Sequence, residues 1–409
     1  MLERNLADTE TSVENIKVVT LKLLANCHES DWAGYDPYDA LNSKIFKDLS
    51  FLDFKLFRLV FTQVMKRFPF NLRPALLVPK TQNPKGLALF LMANLKLSRN
   101  DLAGGNKSLI DDLTERLIAL RSENSSYWCW GYSFPWQTRT ILVPRGEPNL
   151  VCTTFVANAL LDAYEKTGQS RYLIMATSAA DYILNELFWT EGDSIAGFCY
   201  PLPTSKARVH NANFLGAALL CRVYKHSGDN KYLEPALKVA RYSADKQDEA
   251  GSWVYGEDPT QHWIDNFHTG FNLLALRSIC QDAKTSEFES HIHQGFEFYR
   301  NNFFREDGAP KYFHNKTYPI DIHSVAQSII TLIELRDLDK TSVPLAFLVY
   351  RWAIAHMWDE RGYFYYRALP FCTIKIPYMR WSQAWMLLAL FTLLKGCDQA
   401  ARDTNTGAL

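Results

Sequence analysis

Two kinds of helical pattern alternate along the chain. In the first kind, apolar residues recur every three or four positions with charged residues between them, which predicts amphipathic helices with one buried face. These segments are 171–188, 231–247, 288–303 and 345–357. In the second kind, charge is rare and Ala, Leu and Ser dominate, and a helix that is apolar on nearly all sides must be buried on most of them. These predicted inner helices are 149–166, 207–226, 264–280, 321–336 and 380–395.

The alternation repeats with a regular period. A glycine followed by aromatic residues separates each outer segment from the next inner one, with successive spacings of 66, 54, 57 and 54 residues. These glycines are Gly131, Gly197, Gly251, Gly308 and Gly362. The segments 164–173 and 224–233 also share the pattern Tyr-x3-Gly-x3-Tyr-Leu. Such a period indicates a fold built from repeated helical hairpins.

The number of hairpins predicts a closed ring. With 56–68 and 85–98 as a divergent first pair, and 110–121 as the outer helix before Gly131, the chain has six outer and six inner helices. Six pairs can close into a ring, which removes the exposed ends of the alternative, an open array. We therefore predict an all-α (α/α)6 toroid with short β-hairpin or loop insertions on one face. Residues 1–409 form a single domain in this prediction, with 1–50 as an N-terminal helix and loop extension.

Composition and short motifs limit the classes of partner and cofactor that we expect the protein to bind. Lys plus Arg and Asp plus Glu number 44 each, so no overall field attracts nucleic acid or an anionic membrane, and partners must be recognised locally. No uncharged apolar stretch reaches the roughly 18 residues that a membrane span needs. The first residues lack a signal-peptide pattern, and the eight scattered cysteines favour reduced thiols, so we expect a cytoplasmic protein. Glycine motifs for nucleotides are absent, and we expect no cofactor.

Polar residues gather at the predicted N-termini of the inner helices. Because each glycine–aromatic loop leads into an inner helix, these N-termini are expected on one face of the ring, around its axis. Three histidines open successive inner helices at equivalent places in the repeat, which favours a shared role, whereas Asp or Asn at a helix start can simply be a cap. The predicted catalytic residues are His210, Asp265, His268, Asp321, His323 and Tyr378.

The predicted substrate-binding residues belong to the same loops and helix starts. They are Trp136, Arg145, Glu147, Arg208, Asn211, Tyr255, Glu257, Trp263, Asn266, Arg380, Trp381 and Gln383. Aromatic residues, 14% of the chain, can stack on sugar rings or fill a core, and Arg can bind a carboxylate through two hydrogen bonds. His262 and His268 lack the i, i+4 spacing of a helical zinc motif, so we expect no metal.

Several of these segments resemble a known family. The chain resembles the VpsJ-like exopolysaccharide and capsule biosynthesis proteins at WAGYDPYDALNS, SFPWQTRTILVPRGEPNLVCTTFVANALLDAY, RVHNANFLGAALL, GSWVYGEDPTQHWIDNFHTGFNLLAL, YPIDIHSVAQ and YMRWSQAWM. More distantly, GSWVYGED and DNFHTGFNLLAL resemble the toroid domain of glucuronyl C5-epimerases and of related toroid glycosidases and uronate lyases. The resemblance implies an oligo- or polysaccharide partner, with acidic sugars among the candidates, in surface-polysaccharide synthesis.

Three functions fit these residues. The first is proton abstraction next to a sugar carboxylate, leading to epimerisation or β-elimination, with His and Tyr as proton carriers and Arg as the carboxylate ligand. The second is glycoside hydrolysis by two carboxylates, drawn from Asp265, Glu257, Asp321 and Glu147. The third is glycan binding without catalysis. His and Tyr beside Arg favour the first, and two facing carboxylates would favour the second.

Overall fold

The computed structural model of the protein describes residues 2–49, 51, 53–96 and 107–406. Its α-helices in these ranges are α1 (Leu2–Glu29), α2 (Lys44–Asp48), α3 (Lys55–Arg67), α4 (Pro84–Leu95), α5 (Lys107–Ala119), α6 (Leu150–Thr167), α7 (Ser170–Tyr182), α8 (His210–Ser227), α9 (Asn230–Ala244), α10 (Asn266–Ala283), α11 (Glu289–Asn302), α12 (Ile322–Glu334), α13 (Ser342–Met357) and α14 (Trp385–Thr406). Short 3₁₀ turns lie at Asp39–Asn42 and Pro259–Gln261, and π-helical turns at Ile183–Leu187 and Met379–Ala384.

The inner helices form a closed ring. Helix α4 packs on α6, α6 on α8, α8 on α10, α10 on α12, α12 on α14, and α14 returns to α4. A continuous buried core runs from Ile16 in α1 to Leu394 in α14. The predicted (α/α)6 toroid is therefore confirmed, and the charge-poor segments are its inner helices.

The outer helices follow the prediction except at the point of closure. Helices α5, α7, α9, α11 and α13 pack on α4, α6, α8, α10 and α12, and α1 packs on α14. The predicted pairing of 56–68 with 85–98 is wrong, because α3 packs instead on the 39–42 turn and on a strand at Trp136. The sixth outer helix comes from the start of the chain, and its contact with α14 joins the two ends of the ring.

Short antiparallel strands fill the loops. They are β1 (Trp136–Gln137), β2 (Leu142–Val143), β3 (Phe188–Glu191), β4 (Ile195–Phe198), β5 (Ile320–Asp321), β6 (Trp358–Asp359), β7 (Tyr363–Phe364), β8 (Arg367–Ala368) and β9 (Thr373–Ile374). β1 pairs with β2, β3 with β4 and β6 with β7, while β8 lies between β5 and β9. In the longest hairpin Phe188 lies opposite Phe198. These strands form the predicted insertions.

The inner helices begin where the sequence supplies caps. The side-chain oxygens of Asn83, Asn149, Asp265 and Asp321 each accept a hydrogen bond from a first-turn backbone N–H of α4, α6, α10 and α12. This satisfies donors that a helix start would otherwise leave unpaired. No helix in the described part of the chain is long and apolar enough to cross a bilayer.

Candidate active site

A lysine in the first turn of α4 lies at the centre of the ring. Asn83 caps this helix, because its side-chain oxygen accepts a hydrogen bond from the backbone N–H of Lys85. Lys85 itself is buried and only 4% exposed. Its Nζ lies 4.0 Å from the ring centroid of Phe155, 5.4 Å from that of Trp385 and 5.6 Å from that of Phe271. Because these rings belong to α6, α14 and α10, the ammonium group lies where four inner helices meet.

The environment of Lys85 is costly for a cation. Its Nζ has no ion-pair or hydrogen-bond partner among the residues that the structure describes, although it lies over three aromatic faces. Burial, followed by the charge of Arg380, lowers the pKa of Lys85 to about 7. Since buried charges are normally paired, a buried, unpaired lysine with a shifted pKa favours a role in ligand binding. Lys85 was not among the residues predicted from the sequence.

A histidine–aspartate pair lies at the start of α10. The carboxylate of Asp265 accepts hydrogen bonds from Nδ1 of His268 (2.7 Å), from the backbone N–H of His268 (3.0 Å) and from Nε1 of Trp263 (2.9 Å). Because Nδ1 donates to a carboxylate, Nε2 of the neutral ring carries the free lone pair. The side chain of His268 is 21% exposed, so Nε2 is available to a ligand as a base.

A second imidazole lies beside this pair. The ring of His323 stacks on Phe267 at 4.5 Å and on Trp385 at 4.5 Å, and meets Trp381 edge-on at 4.6 Å. Both of its nitrogens are buried and have no hydrogen-bond partner among the described residues. Burial, and then the charges of Lys85, Arg380 and His268, holds the pKa of His323 well below its usual value. His323 is therefore a neutral donor and acceptor whose hydrogen-bond partners are not supplied by the residues that the structure describes.

Aromatic residues form a wall next to the base. Tyr255 stacks on Trp263 at 4.6 Å with an angle of 13° between the rings, and lies 4.6 Å from the ring of His268. Flat paired rings of this kind can support the apolar face of a sugar. Trp263, which donates to Asp265, thus both holds the histidine–aspartate pair and extends the wall.

Tyrosine hydroxyls add polar groups around the same space. None of four hydroxyls donates to or accepts from any residue in the described ranges, and burial raises the pKa of each phenol. They belong to Tyr132, Tyr200, Tyr255 and Tyr312. Protonated phenols can both donate and accept hydrogen bonds, which suits a ligand rich in hydroxyl groups. We name Lys85, His268, His323 and these four tyrosines, with the rings around them, the axial pocket.

The predicted carboxylates are held by protein donors. Asp321 accepts from Nε and Nη2 of Arg367 (2.9 and 2.6 Å) and from Nε1 of Trp381 (2.8 Å). Glu257 accepts hydrogen bonds from Tyr242 and from Arg208. With Asp265 also engaged, the pairs of Asp265 with Asp321 or Glu257 do not face each other as free carboxylates, and the pair with Glu147 stays a prediction.

The predicted arginine and tyrosine ligands are likewise engaged. Arg380 pairs with Asp36 through two hydrogen bonds of 2.6 and 2.8 Å. The hydroxyl of Tyr378 accepts from Nη1 of Arg73 (2.8 Å), which lies in the buried cluster below the 39–42 turn. These residues support the wall of the pocket, and any direct contact with substrate stays a prediction.

Several other predicted residues hold loops or lie apart. Gln383 exchanges two hydrogen bonds with the backbone of Phe364, and Asn266 bonds Tyr299 and Ser328. Trp136, Arg145 and Glu147 belong to the loop before α6, with Arg145 exposed. The buried Oδ1 of Asn211 has no partner in the described ranges. Their predicted roles in substrate binding stay untested.

His210 does not share the placement of the other two histidines. Its Nδ1 lies 3.4 Å from the hydroxyl of Ser243 on outer helix α9, and burial lowers its pKa to about 4. His210 is the first residue of α8, whereas His323 is the second of α12 and His268 the third of α10. Each step along a helix turns the side chain by about 100°, so the two steps between the positions of His210 and His268 turn their side chains about 200° apart. Equivalent positions in the repeat therefore do not place all three in the axial pocket.

The arrangement of His, Cys, Asp and Glu side chains bears on metal binding. Within the described ranges no group of three or more His, Cys, Asp or Glu side chains is arranged to hold a metal ion. The polar atoms of the axial pocket are instead an amine, imidazoles and phenols, which suit a hydroxylated or acidic organic ligand.

The chain resembles solved structures in fold. No protein-family model matches it, and no curated protein matches its sequence. Cellobiose 2-epimerase from Spirochaeta thermophila is similar with a TM-score of 0.59 and 11% identity, over 78% of this chain and 87% of that one. D-mannose isomerase is similar with a TM-score of 0.57 and 14% identity, over 76% of this chain and 87% of that one. The GH76 α-mannanase BT2949 of Bacteroides thetaiotaomicron is similar with a TM-score of 0.57 and 13% identity, over 78% of this chain and 88% of that one. At these identities the likeness establishes a shared α/α-toroid fold.

Proposed function

We propose that the protein is a carbohydrate-processing enzyme that moves a proton at a sugar carbon. The observation that carries the proposal is the His268–Asp265 pair, whose free Nε2 opens on a pocket that also contains an unpaired lysine. The solved structures of similar fold carry the names of a sugar epimerase, a sugar isomerase and a glycoside hydrolase, which is consistent with a sugar substrate. Because Asp265, Asp321 and Glu257 are held by protein donors, the side chains favour proton transfer over hydrolysis.

The substrate class follows from charge. Arg380 and Arg367 are each paired with an aspartate, which leaves Lys85 as the cation of the axial pocket that lacks an anionic partner among the described residues. A substrate carboxylate would supply that partner. We therefore propose a uronic-acid-containing glycan, acted on as by a C5-epimerase or a lyase. We also propose surface-polysaccharide synthesis as the process, which the sequence resemblance to exopolysaccharide proteins implies.

The reaction assigns a separate role to each group. With the sugar against Tyr255 and Trp263, Nε2 of His268 removes the proton from the carbon next to the carboxylate, and the electron pair moves into the carboxylate. The ammonium group of Lys85 stabilises the charge that develops there. Return of a proton to the opposite face, from the hydroxyl of a tyrosine of the axial pocket, gives the epimer. Loss of the glycosidic oxygen from the neighbouring carbon gives an unsaturated sugar instead.

Proton–deuterium exchange followed by NMR tests this proposal. The protein in heavy water is incubated with oligosaccharides containing glucuronate, mannuronate or galacturonate, and with cellobiose and mannose as neutral sugars. We expect deuterium at C5 of a uronate from an epimerase, or a 4,5-unsaturated uronate, which carries no hydrogen at C5, from a lyase. New reducing ends with neither C5 label nor an unsaturated product would support hydrolysis and contradict the proposal. Deuterium at C2 of a neutral sugar would support proton transfer as the reaction but contradict a uronate as the substrate. Binding of a sugar without deuterium label and without cleavage would indicate a glycan-binding protein.

A further inference from the structure

Helix α3 carries an apolar face that the toroid does not cover. Leu56, Val60 and Val64, spaced four residues apart, are 65%, 52% and 49% exposed. The exposed rings of Phe51 and Phe70, before and after this helix, extend the same apolar region. Isolated exposed apolar residues are ordinary, but a contiguous stripe along one helix indicates an interaction surface.

The opposite face of α3 fixes the orientation of this stripe. Phe57 and Phe61 stack with Phe46 of α2 at 5.8 and 5.5 Å, and Met65 is buried with Ala40 in a small separate core. The helix is thus apolar on both sides, with one side packed on the protein. The exposure of the other side follows from that packing.

Positive charge surrounds the stripe. Residues 44–80 contain eight Lys or Arg and only two Asp, in a chain whose total charges balance at 44 each. Lys44, Lys47, Lys55 and Arg67 are exposed and form no ion pair with any described residue. We name α2, α3 and the exposed aromatic residues beside them, in residues 44–49, 51 and 53–70, the docking face.

The docking face borders the axial pocket. Nζ of Lys66, in the last turn of α3, lies 4.2 Å from the ring centroid of Tyr38 and 5.8 Å from that of Trp381, a neighbour of His323. Earlier in the helix, Nε of Arg58 donates to Gln137 of β1 (2.8 Å). A partner bound to the docking face would lie at the rim of the pocket.

We infer that the docking face binds the surface of an anionic lipid bilayer, with α3 lying in the plane of the interface. A helix with bulky apolar residues on one side and Lys or Arg at its edges is the type that enters the headgroup region, and each cation near such a surface adds to the attraction. A second copy of this chain is a poorer partner, because a two-fold contact would bring two positive faces together. The inference concerns this surface alone and does not depend on the proposed reaction.

Vesicle sedimentation tests the inference. The full chain is mixed with vesicles of phosphatidylcholine alone or of phosphatidylcholine with phosphatidylglycerol, at low and at high salt. We expect binding to the anionic vesicles that weakens with salt. The triple variant Leu56→Gln, Val60→Gln, Val64→Gln should lower the partition coefficient by more than about tenfold, because three apolar side chains no longer enter the interface.

Two further variants test the contribution of positive charge and the specificity of the docking face. Lys44→Gln with Lys47→Gln and Lys55→Gln should lower binding to anionic vesicles by about a hundredfold, since each cation adds roughly 1 kcal/mol of attraction. Ile174→Gln, which alters an apolar residue of α7 that is 64% exposed, should bind as the wild type does. Thermal melting confirms that each variant is folded.

Four results would overturn the inference. The first is no sedimentation of the wild type with anionic vesicles at low salt. The second is equal binding by the wild type and the folded triple variant. The third is a wild-type dimer, seen by light scattering, that the triple variant converts to monomer without any vesicle binding, which would assign the face to a second copy. Binding only to an acidic protein would likewise reject a lipid surface.

Discussion

The buried Lys85 allows a prediction of how the stability of the protein changes with pH. Burial lowers its pKa from 10.5 to about 7 in the folded protein, so between these values the unfolded chain binds more protons than the folded chain. Stability therefore rises with pH across this window, and the cost of Lys85 is largest at and below pH 7. This pKa shift lowers the free energy of unfolding by about 4 kcal/mol at pH 7 and by about 2 kcal/mol at pH 9.

Lys85→Met removes the charge and keeps a side chain of similar length. We expect the variant to be more stable than the wild type by up to about 4 kcal/mol at pH 7, with the gain falling by roughly half at pH 9. Urea unfolding followed by circular dichroism at both pH values measures this difference. The same substitution at Lys340, an exposed lysine after α12, serves as the control and should change stability little at either pH.

The opposite result would refute the reasoning. If Lys85→Met is less stable than the wild type at pH 7, the three aromatic rings hold the ammonium group charged by cation–π attraction. A gain that does not change between pH 7 and pH 9 would also contradict it, because the lysine would then titrate alike in both states. A confirmed gain would show that the protein keeps a destabilising cation, as expected where function and stability oppose each other.

Three further substitutions test the site and the fold. Asp265→Asn removes the carboxylate that accepts from Nδ1 of His268, and deuterium exchange into the sugar should fall by about 10²- to 10⁴-fold with the fold intact. Asp321→Asn leaves its arginine partner buried without a counter-charge and should cost about 3–5 kcal/mol in urea unfolding. Gly251 has φ of +92°, and an added Cβ would lie 2.4 Å from the carbonyl oxygen of Gln294, whereas Gly228 has φ of +69° with open space. Gly251→Ala should therefore lose about 1–3 kcal/mol more than Gly228→Ala, and equal losses would contradict the packing.

The sequence predicts the inner helices well for a local reason. The segments at 207–226 and 321–336 lie close to α8 and α12, because scarcity of charge marks helices that are buried on most sides, and caps mark their starts. The pairing of α1 with α14 could not be predicted in this way. It joins the two ends of the chain, and a period along the sequence contains no information about such a contact.

The site was predicted only in part, for reasons of direction. The repeat placed His210, His268 and His323 at corresponding helix starts, but His210 lies two residues earlier in its helix than His268 does, and its side chain points to another side. Lys85 follows a capped helix start in an apolar segment, and its burial depends on rings from Phe155 and Trp385, which lie far away in sequence. Which charges pair with each other, as Asp321 does with an arginine in β8, also depends on the tertiary structure.

The most direct test of the account compares wild-type protein and His268→Gln in the deuterium-exchange assay. Glutamine fills a similar space but cannot act as a base, so a sugar that the wild type labels should still bind to the variant. The account predicts that labelling at the sugar carbon falls by about 10²- to 10⁴-fold while the affinity for the sugar is nearly unchanged. Labelling at the wild-type rate would show that the base lies elsewhere, and would contradict the assignment of the axial pocket as the site of proton transfer.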